Sequence, residues 1–181
     1  MSDHPKINYY VAVSLDGFIC GPDEDVSLFV GEGKGVEKYL NDLKEFRTVI
    51  MGRKTYEFGY KFGLKAGEPA YPHMEHYIFS DTLKIPRLHP KVHIERLSLE
   101  RIIAIRDAST TDVYLCGGGQ FAGWLLDRGL IDRLTVKLNP IVLGDGVPVF
   151  GPSTTSAVFD LTENKVYENR IQISNYNIKN K

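Results

Sequence analysis

An α/β fold built on one mixed sheet, parallel at its centre and covered by helices on both faces, follows from three features of the sequence. Two apolar runs, Thr48-Val49-Ile50-Met51 and Val113-Tyr114-Leu115-Cys116, stop at glycine, as buried strands do where they open into a loop. Hydrophobic residues elsewhere recur at helical spacing. Toward the C-terminus, Arg133–Leu138 and Arg170–Ser174 alternate polar and apolar residues, the pattern of half-exposed antiparallel strands.

Taken in order, Ile7 to Ile19 is a long strand candidate rich in tyrosine and valine, interrupted at Ser14-Leu15-Asp16-Gly17, where Asp16-Gly17 predicts a turn or bulge. A glycine-rich loop follows. Val36, Tyr39, Leu40 and Leu43 fall on one helical face just before the Thr48–Met51 strand, so strand, helix and strand predict a parallel βαβ pair with a right-handed crossover. The stretch 60–74, with Gly63, Gly67, Pro69 and Pro72, reads as a loop before the short strand His76–Phe79. Val92–Ile94 is another short strand. Ser98 is placed to cap a helix bearing Leu99, Ile102 and Ile103 on one face. After the second glycine turn, Phe121, Trp124 and Leu125 share a helical face, and Gly129 is placed to end that helix in a left-handed conformation.

With 181 residues and no internal repeat or linker, residues 1–181 read as a single domain. A net charge of −1 offers no long-range attraction to nucleic acid or acidic membranes, so a basic function has to be local. The two cysteines, Cys20 and Cys116, lie beside glycine in apolar stretches, a poor disulfide framework that suits a reducing compartment. The polar N-terminus lacks a signal-peptide core, and no apolar run approaches membrane-spanning length. A cytoplasmic location is the expectation.

The two glycine turns carry the chemistry. Gly52 allows close backbone approach, and Arg53, Lys54 and Thr55 add two cations and a hydroxyl; two cations at a helix start oppose its dipole unless an anion is present. Gly117-x-Gly119-x-x-Ala122 after a strand matches a dinucleotide fingerprint, although that fingerprint normally sits on the first βα turn. A tight turn with no ligand explains it equally well. His73-x-x-His76 and His89-x-x-x-His93 lack the clustered ligand set of a metal site, so no metal is expected.

Several separated motifs together resemble one family. Met51-Gly52-Arg53-Lys54-Thr55-Tyr56-Glu57, Tyr77-Ile78-Phe79-Ser80 and Val113-Tyr114-Leu115-Cys116-Gly117-Gly118-Gly119, in that order, resemble the dihydrofolate reductase superfamily. Val13-Ser14-Leu15-Asp16-Gly17 and Asn139-Pro140-Ile141-Val142-Leu143-Gly144-Asp145-Gly146 are closer to one branch. That branch is the reductase domain of the bifunctional riboflavin-biosynthesis deaminase-reductase, with its stand-alone bacterial relatives.

The resemblance implies a three-layer dihydrofolate reductase-like fold and a nicotinamide dinucleotide, NADPH most often and NADH possible, lying across the C-terminal strand ends. Carried over by position, Gly52, Arg53, Lys54 and Thr55 hold the pyrophosphate and the adenosine phosphate, and Ser80 reaches the adenosine ribose. Gly117, Gly118, Gly119, Gln120 and Phe121 meet the pyrophosphate and nicotinamide half, which Ala12 and Ile19 border. Asp16 is implied as the active-site acid, orienting a polar substrate or relaying a proton, whereas the residues themselves also permit a simple Asp-Gly turn. Ser27 stands on the substrate side, where stand-alone relatives often carry an acid followed by tryptophan; here the pair is Ser27-Leu28. Nothing between Gly21 and Phe46 reproduces the pterin-binding segment of dihydrofolate reductase proper.

The expected function is therefore an NADPH-dependent oxidoreductase resembling 5-amino-6-(5-phosphoribosylamino)uracil reductase, passing hydride to a small heterocyclic or ribosylated substrate as a homodimer. No Pro-Cys-x-x-Cys segment is present, so the zinc-dependent deamination step is not expected of this chain. The alternatives are a catalytically silent nucleotide-binding or regulatory homodimer and a dihydrofolate reductase with an altered pterin site.

Overall fold

The computed structural model describes residues 4–168 and 170–179. Its centre is an eight-stranded sheet in which residues pointing to alternate faces feed two separate cores. The strands, in chain order, are β1 (Ile7–Val13), β2 (Phe18–Cys20), β3 (Thr48–Gly52), β4 (Glu75–Phe79), β5 (Val92–Glu95), β6 (Val113–Gly117), β7 (Arg133–Leu138), β8 (Val147–Pro148), β9 (Phe159–Val166) and β10 (Gln172–Ile178). The helices are α1 (Lys34–Asp42), α2 (Arg53–Phe58), α3 (Leu99–Ala108) and α4 (Gly119–Leu126). The large sheet runs β5-β4-β3-β6-β1-β7-β10-β9, while β2 and β8 form a separate antiparallel pair.

On one face Ile7, Tyr9, Val11, Ile50, Val113 and Leu115 pack against Ile102 and Ile105 of α3 and Phe121 and Leu125 of α4. On the other, Tyr10, Val49, Met51 and Tyr114 pack with Leu43, just past α1, and Tyr56 of α2. Strict alternation along each strand thus makes the three layers, because every neighbour in a strand points to the opposite face. The six strands from β5 to β7 are parallel, and β10 and β9 continue the sheet antiparallel. A mixed, mostly parallel sheet with an antiparallel C-terminal strand pair is the architecture the sequence predicted.

Several details differ. β1 and β3 are parallel but not neighbours, because β6 lies between them and pairs with both; two equally apolar runs carry no information about which one takes the central place. β7, expected to be antiparallel, runs parallel to β1 and is antiparallel only to β10. The long first strand breaks at Val13, where Ser14 and Gly17 close a turn that sends β2 to pair with β8. On α3 the buried side chains are Ile102 and Ile105, with Leu99 at the exposed end.

Two helix ends form as their residues dictate. The Ser98 hydroxyl accepts the Arg101 amide at 3.1 Å, which satisfies an otherwise unpaired donor of the first turn of α3. Gly129 adopts φ +64°, and the amides of Gly129 and Leu130 return to the carbonyls of Leu126 and Leu125 after α4.

Candidate functional site

The chain passes outward from β1 to β3, β4 and β5 and then returns to insert β6 beside β1, which places a reversal of strand order at β3, β6 and β1. Crevices outside the C-terminal strand ends at such a reversal are the usual ligand sites of open α/β sheets. Both glycine turns lie there. Met51 of β3 is the register partner of Gly117 of β6, so Gly52–Thr55 and Gly117–Gly119 leave adjacent strands side by side.

The turns touch one another. A Cβ placed on Gly118 would lie 3.1 Å from the Thr55 hydroxyl oxygen and 3.9 Å from Cδ1 of Ile19, so the two turns are in close contact and a side chain at 118 would press on Thr55. Neither α2 nor α4 carries a side-chain cap; Gly52 and Gly118 hold the two N-cap positions, and the Gly117–Gly118 peptide is cis. Gly119 is glycine for a different reason. Its Cβ would meet the Pro148 carbonyl oxygen at 2.1 Å, so close packing of the 147–151 segment dictates it.

Outside the groove, Arg53 and Lys54 are exposed at the start of α2. The Arg53 guanidinium donates to Glu57 at 2.9 Å and to the Thr82 hydroxyl at 2.8 Å, bridging α2 to the turn after β4. In that turn the Ser80 hydroxyl accepts the amides of Thr82 and Leu83, which fixes Ser80 beside Arg53's contact. Asp81 pairs with Arg96 at 3.1 Å, so a carboxylate that would repel a phosphate is met by a cation the sequence reading did not single out. Among the residues carried over, Phe121 stands apart: its ring is buried against Phe79, with centroids 5.2 Å apart, leaving its backbone rather than its ring for the turn. Gln120 is exposed at the opening of α4.

Across the groove, Ala12 is half-buried near the end of β1, and Ile19 lies on β2. Asp16, between them, is a fastening. Its carboxylate accepts the Ser14 hydroxyl at 2.6 Å, the Leu143 amide at 3.1 Å and the Gly144 amide at 2.7 Å. The Ser14 hydroxyl and these amides hold its pKa down at about 2, so the group stays ionised at neutral pH. Ser27 is exposed, donating its amide and hydroxyl to Asp25 at 2.9 and 3.2 Å. Lys61 ties the same loop to the segment after α2 through Glu24 at 2.9 Å.

Two of the histidines are held by their neighbours. His76 donates from Nδ1 to the Met74 carbonyl and accepts the Tyr71 amide at Nε2, and burial lowers its pKa to about 4. His93 pairs with Glu75 at 2.9 Å. Among the described residues, no group of three or more His, Cys, Asp or Glu is placed to hold a metal, and no helix is long and apolar enough to cross a membrane.

The sequence model of the RibD C-terminal domain matches residues 5–173. The chain belongs to the RibD C-terminal domain family. Within and around that family, the uncharacterized protein YwjB of Bacillus subtilis (strain 168) is 26% identical over 171 residues, covering 93% of this chain and 95% of YwjB. A putative riboflavin biosynthesis protein from Shewanella sp. PV-4 shares the fold with a TM-score of 0.80 at 24% identity, over 97% of this chain and 99% of that one. Dihydrofolate reductase from Enterococcus faecalis, solved with NADP(H) and RAB-propyl, follows at a TM-score of 0.68 and 15% identity, over 97% of each chain. The RibD C-terminal domain seen here is therefore dihydrofolate reductase-like in fold, with its two glycine turns at adjacent C-terminal strand ends.

Proposed function

We propose that this RibD C-terminal domain is an NADPH-dependent reductase. The observation that carries the reading is the meeting of the Gly52–Thr55 and Gly117–Gly119 turns at adjacent strand ends, where a Cβ at Gly118 would crowd Thr55. A dinucleotide's pyrophosphate suits two such turns, because backbone amides and small residues allow close approach and Arg53 and Lys54 supply charge. When bound, a reduced nicotinamide dinucleotide supplies hydride to an acceptor.

In this reading Arg53, Lys54 and Ser80 take the adenosine end, while Gly117, Gly118 and Gln120 take the pyrophosphate. Ala12 and Ile19 border the nicotinamide. Asp16 acts as a positioning residue: by holding the Leu143-Gly144 turn it shapes the rim of the groove and does not itself move a proton. The acceptor is a small heterocyclic or ribosylated molecule of the kind reduced by 5-amino-6-(5-phosphoribosylamino)uracil reductase, and the reaction belongs in the cytoplasm. We further assign a homodimer, supported by the long outer strand β9, which leaves Leu161 and Val166 exposed.

The test is oxidation of NADPH, followed by its absorbance, with 5-amino-6-(5-phosphoribosylamino)uracil as acceptor. Turnover supports the assignment; saturable NADPH binding with no turnover favours a silent nucleotide-binding module. That second reading draws on Asp16, whose oxygens are engaged by Ser14, Leu143 and Gly144.

A further inference from the structure

Lys137 is a buried cation that nothing in the cofactor cradle explains. It lies on β7, is 8% exposed, and is the register partner of Ala12 on β1, so both side chains leave the sheet on the face covered by α1. On its other side the partner is Ile173 of β10. Its ammonium stands 5.2 Å from the ring centre of Tyr39 on α1. Among the described residues no carboxylate forms an ion pair with it; Asp42, the acid of α1 on this face, already holds Lys38 and accepts the Tyr10 hydroxyl. Every fully enclosed side-chain nitrogen or oxygen among the described residues has a hydrogen-bond partner, whereas Lys137 Nζ has none. The residue itself stands beside Ala12, near the C-terminal end of β1. The strand end that carries it is anchored, because Asn139 bonds the Lys137 carbonyl and accepts the Val30 amide.

A lysine with its stem in a core and no counter-ion is costly to keep charged, and desolvation lowers its pKa. A methionine would fill the same space without that cost. The position calls for a charge with a task.

We propose that Lys137 is a specificity residue at the nicotinamide end of the groove, where its positive charge favours the neutral reduced ring over the positively charged oxidised one. This rests on the NADPH reading given above. A fixed like charge weakens binding of the oxidised dinucleotide and leaves the reduced form nearly unaffected, which loads the site with reductant and speeds departure of the spent cofactor.

The experiment measures dissociation constants for NADPH and NADP+ by titration of the wild-type protein and of Lys137→Met, Lys137→Gln and Lys137→Arg. The methionine and glutamine variants are expected to lower the NADP+ to NADPH ratio of dissociation constants by about tenfold, because the like charge that disfavours the oxidised ring is removed. The arginine variant keeps the wild-type ratio. Retained NADPH binding reports that each variant is folded, and glutamine serves if methionine is not tolerated. An unchanged ratio in a variant that binds NADPH overturns the role of Lys137 alone. Wild-type protein that binds neither nucleotide overturns the cofactor reading, and the role of Lys137 with it.

Discussion

The amide of Gly144 donates at 2.7 Å to the carboxylate of Asp16, joining the turn after β1 to a turn 128 residues later in the chain. Because Ser14 and Leu143 bond the same carboxylate, its folded-state pKa falls to about 2 from an ordinary 3.8. A lowered carboxylate pKa stabilises the fold fully above the unfolded value and loses that contribution as pH falls through the folded one. The Leu143 and Gly144 amide resonances are predicted to be flat from pH 8 to pH 4 and to shift with a midpoint near 2. A midpoint of 4 or above would contradict the fastening.

Asp16→Ala removes all three contacts, whereas Asp16→Asn keeps a carbonyl acceptor. Hydrogen exchange at Leu143 and Gly144 is predicted to accelerate in both, more in alanine, with NADPH affinity little changed. If instead Asp16→Asn abolished turnover without altering exchange at these amides, the carboxylate would be acting on the substrate.

His76 gives a second pH dependence of the same sign. Its Nε2 accepts the Tyr71 amide, so protonation there removes an acceptor inside the core as well as burying a charge, and its pKa drops to about 4. With the unfolded value at 6.5, stability is full above that pH and falls as pH drops toward 4, by roughly 3 kcal/mol in total at about 1.4 kcal/mol per pH unit. Urea denaturation at pH 7 and pH 4.5 measures the loss, which His76→Gln should reduce.

The neighbouring glycines Gly118 and Gly119 should fail differently. Gly119→Ala drives a Cβ to 2.1 Å from the Pro148 carbonyl and is expected to cost about 1–3 kcal/mol of stability, read from thermal unfolding. Gly118→Ala meets side-chain atoms alone, the Thr55 hydroxyl at 3.1 Å and Cδ1 of Ile19 at 3.9 Å, so its stability is expected to change less while NADPH binding weakens. Equal stability losses would show that both glycines serve packing alone.

Arg53→Ala is predicted to weaken NADPH by about tenfold and NADH much less, because a charge-assisted contact to a phosphate is removed. Equal losses would place Arg53 at the pyrophosphate or leave it as the partner of Glu57 and Thr82.

Local features of the fold were legible because each rests on neighbouring residues: Ser98 caps its own helix, Gly129 ends its own, and Asp16-Gly17 turns where it stands. The order of strands was not, since β1, β3 and β6 carry the same apolar signal and only three-dimensional packing decides which is central. The two turns could be read as anion sites separately, yet their contact through Gly118 and Thr55 depends on β6 lying beside β3. The fastening of Asp16, the pairing of Asp81 with Arg96 and the burial of Lys137 link residues through space. Spacing along the chain carries no trace of such links.

Gly52–Thr55 and Gly117–Gln120 are assigned here to one cradle. An NADPH titration followed by backbone amide shifts tests it most directly. Both turns are expected to shift together along a single saturation curve. No shift, or a shift confined to one turn, would contradict it.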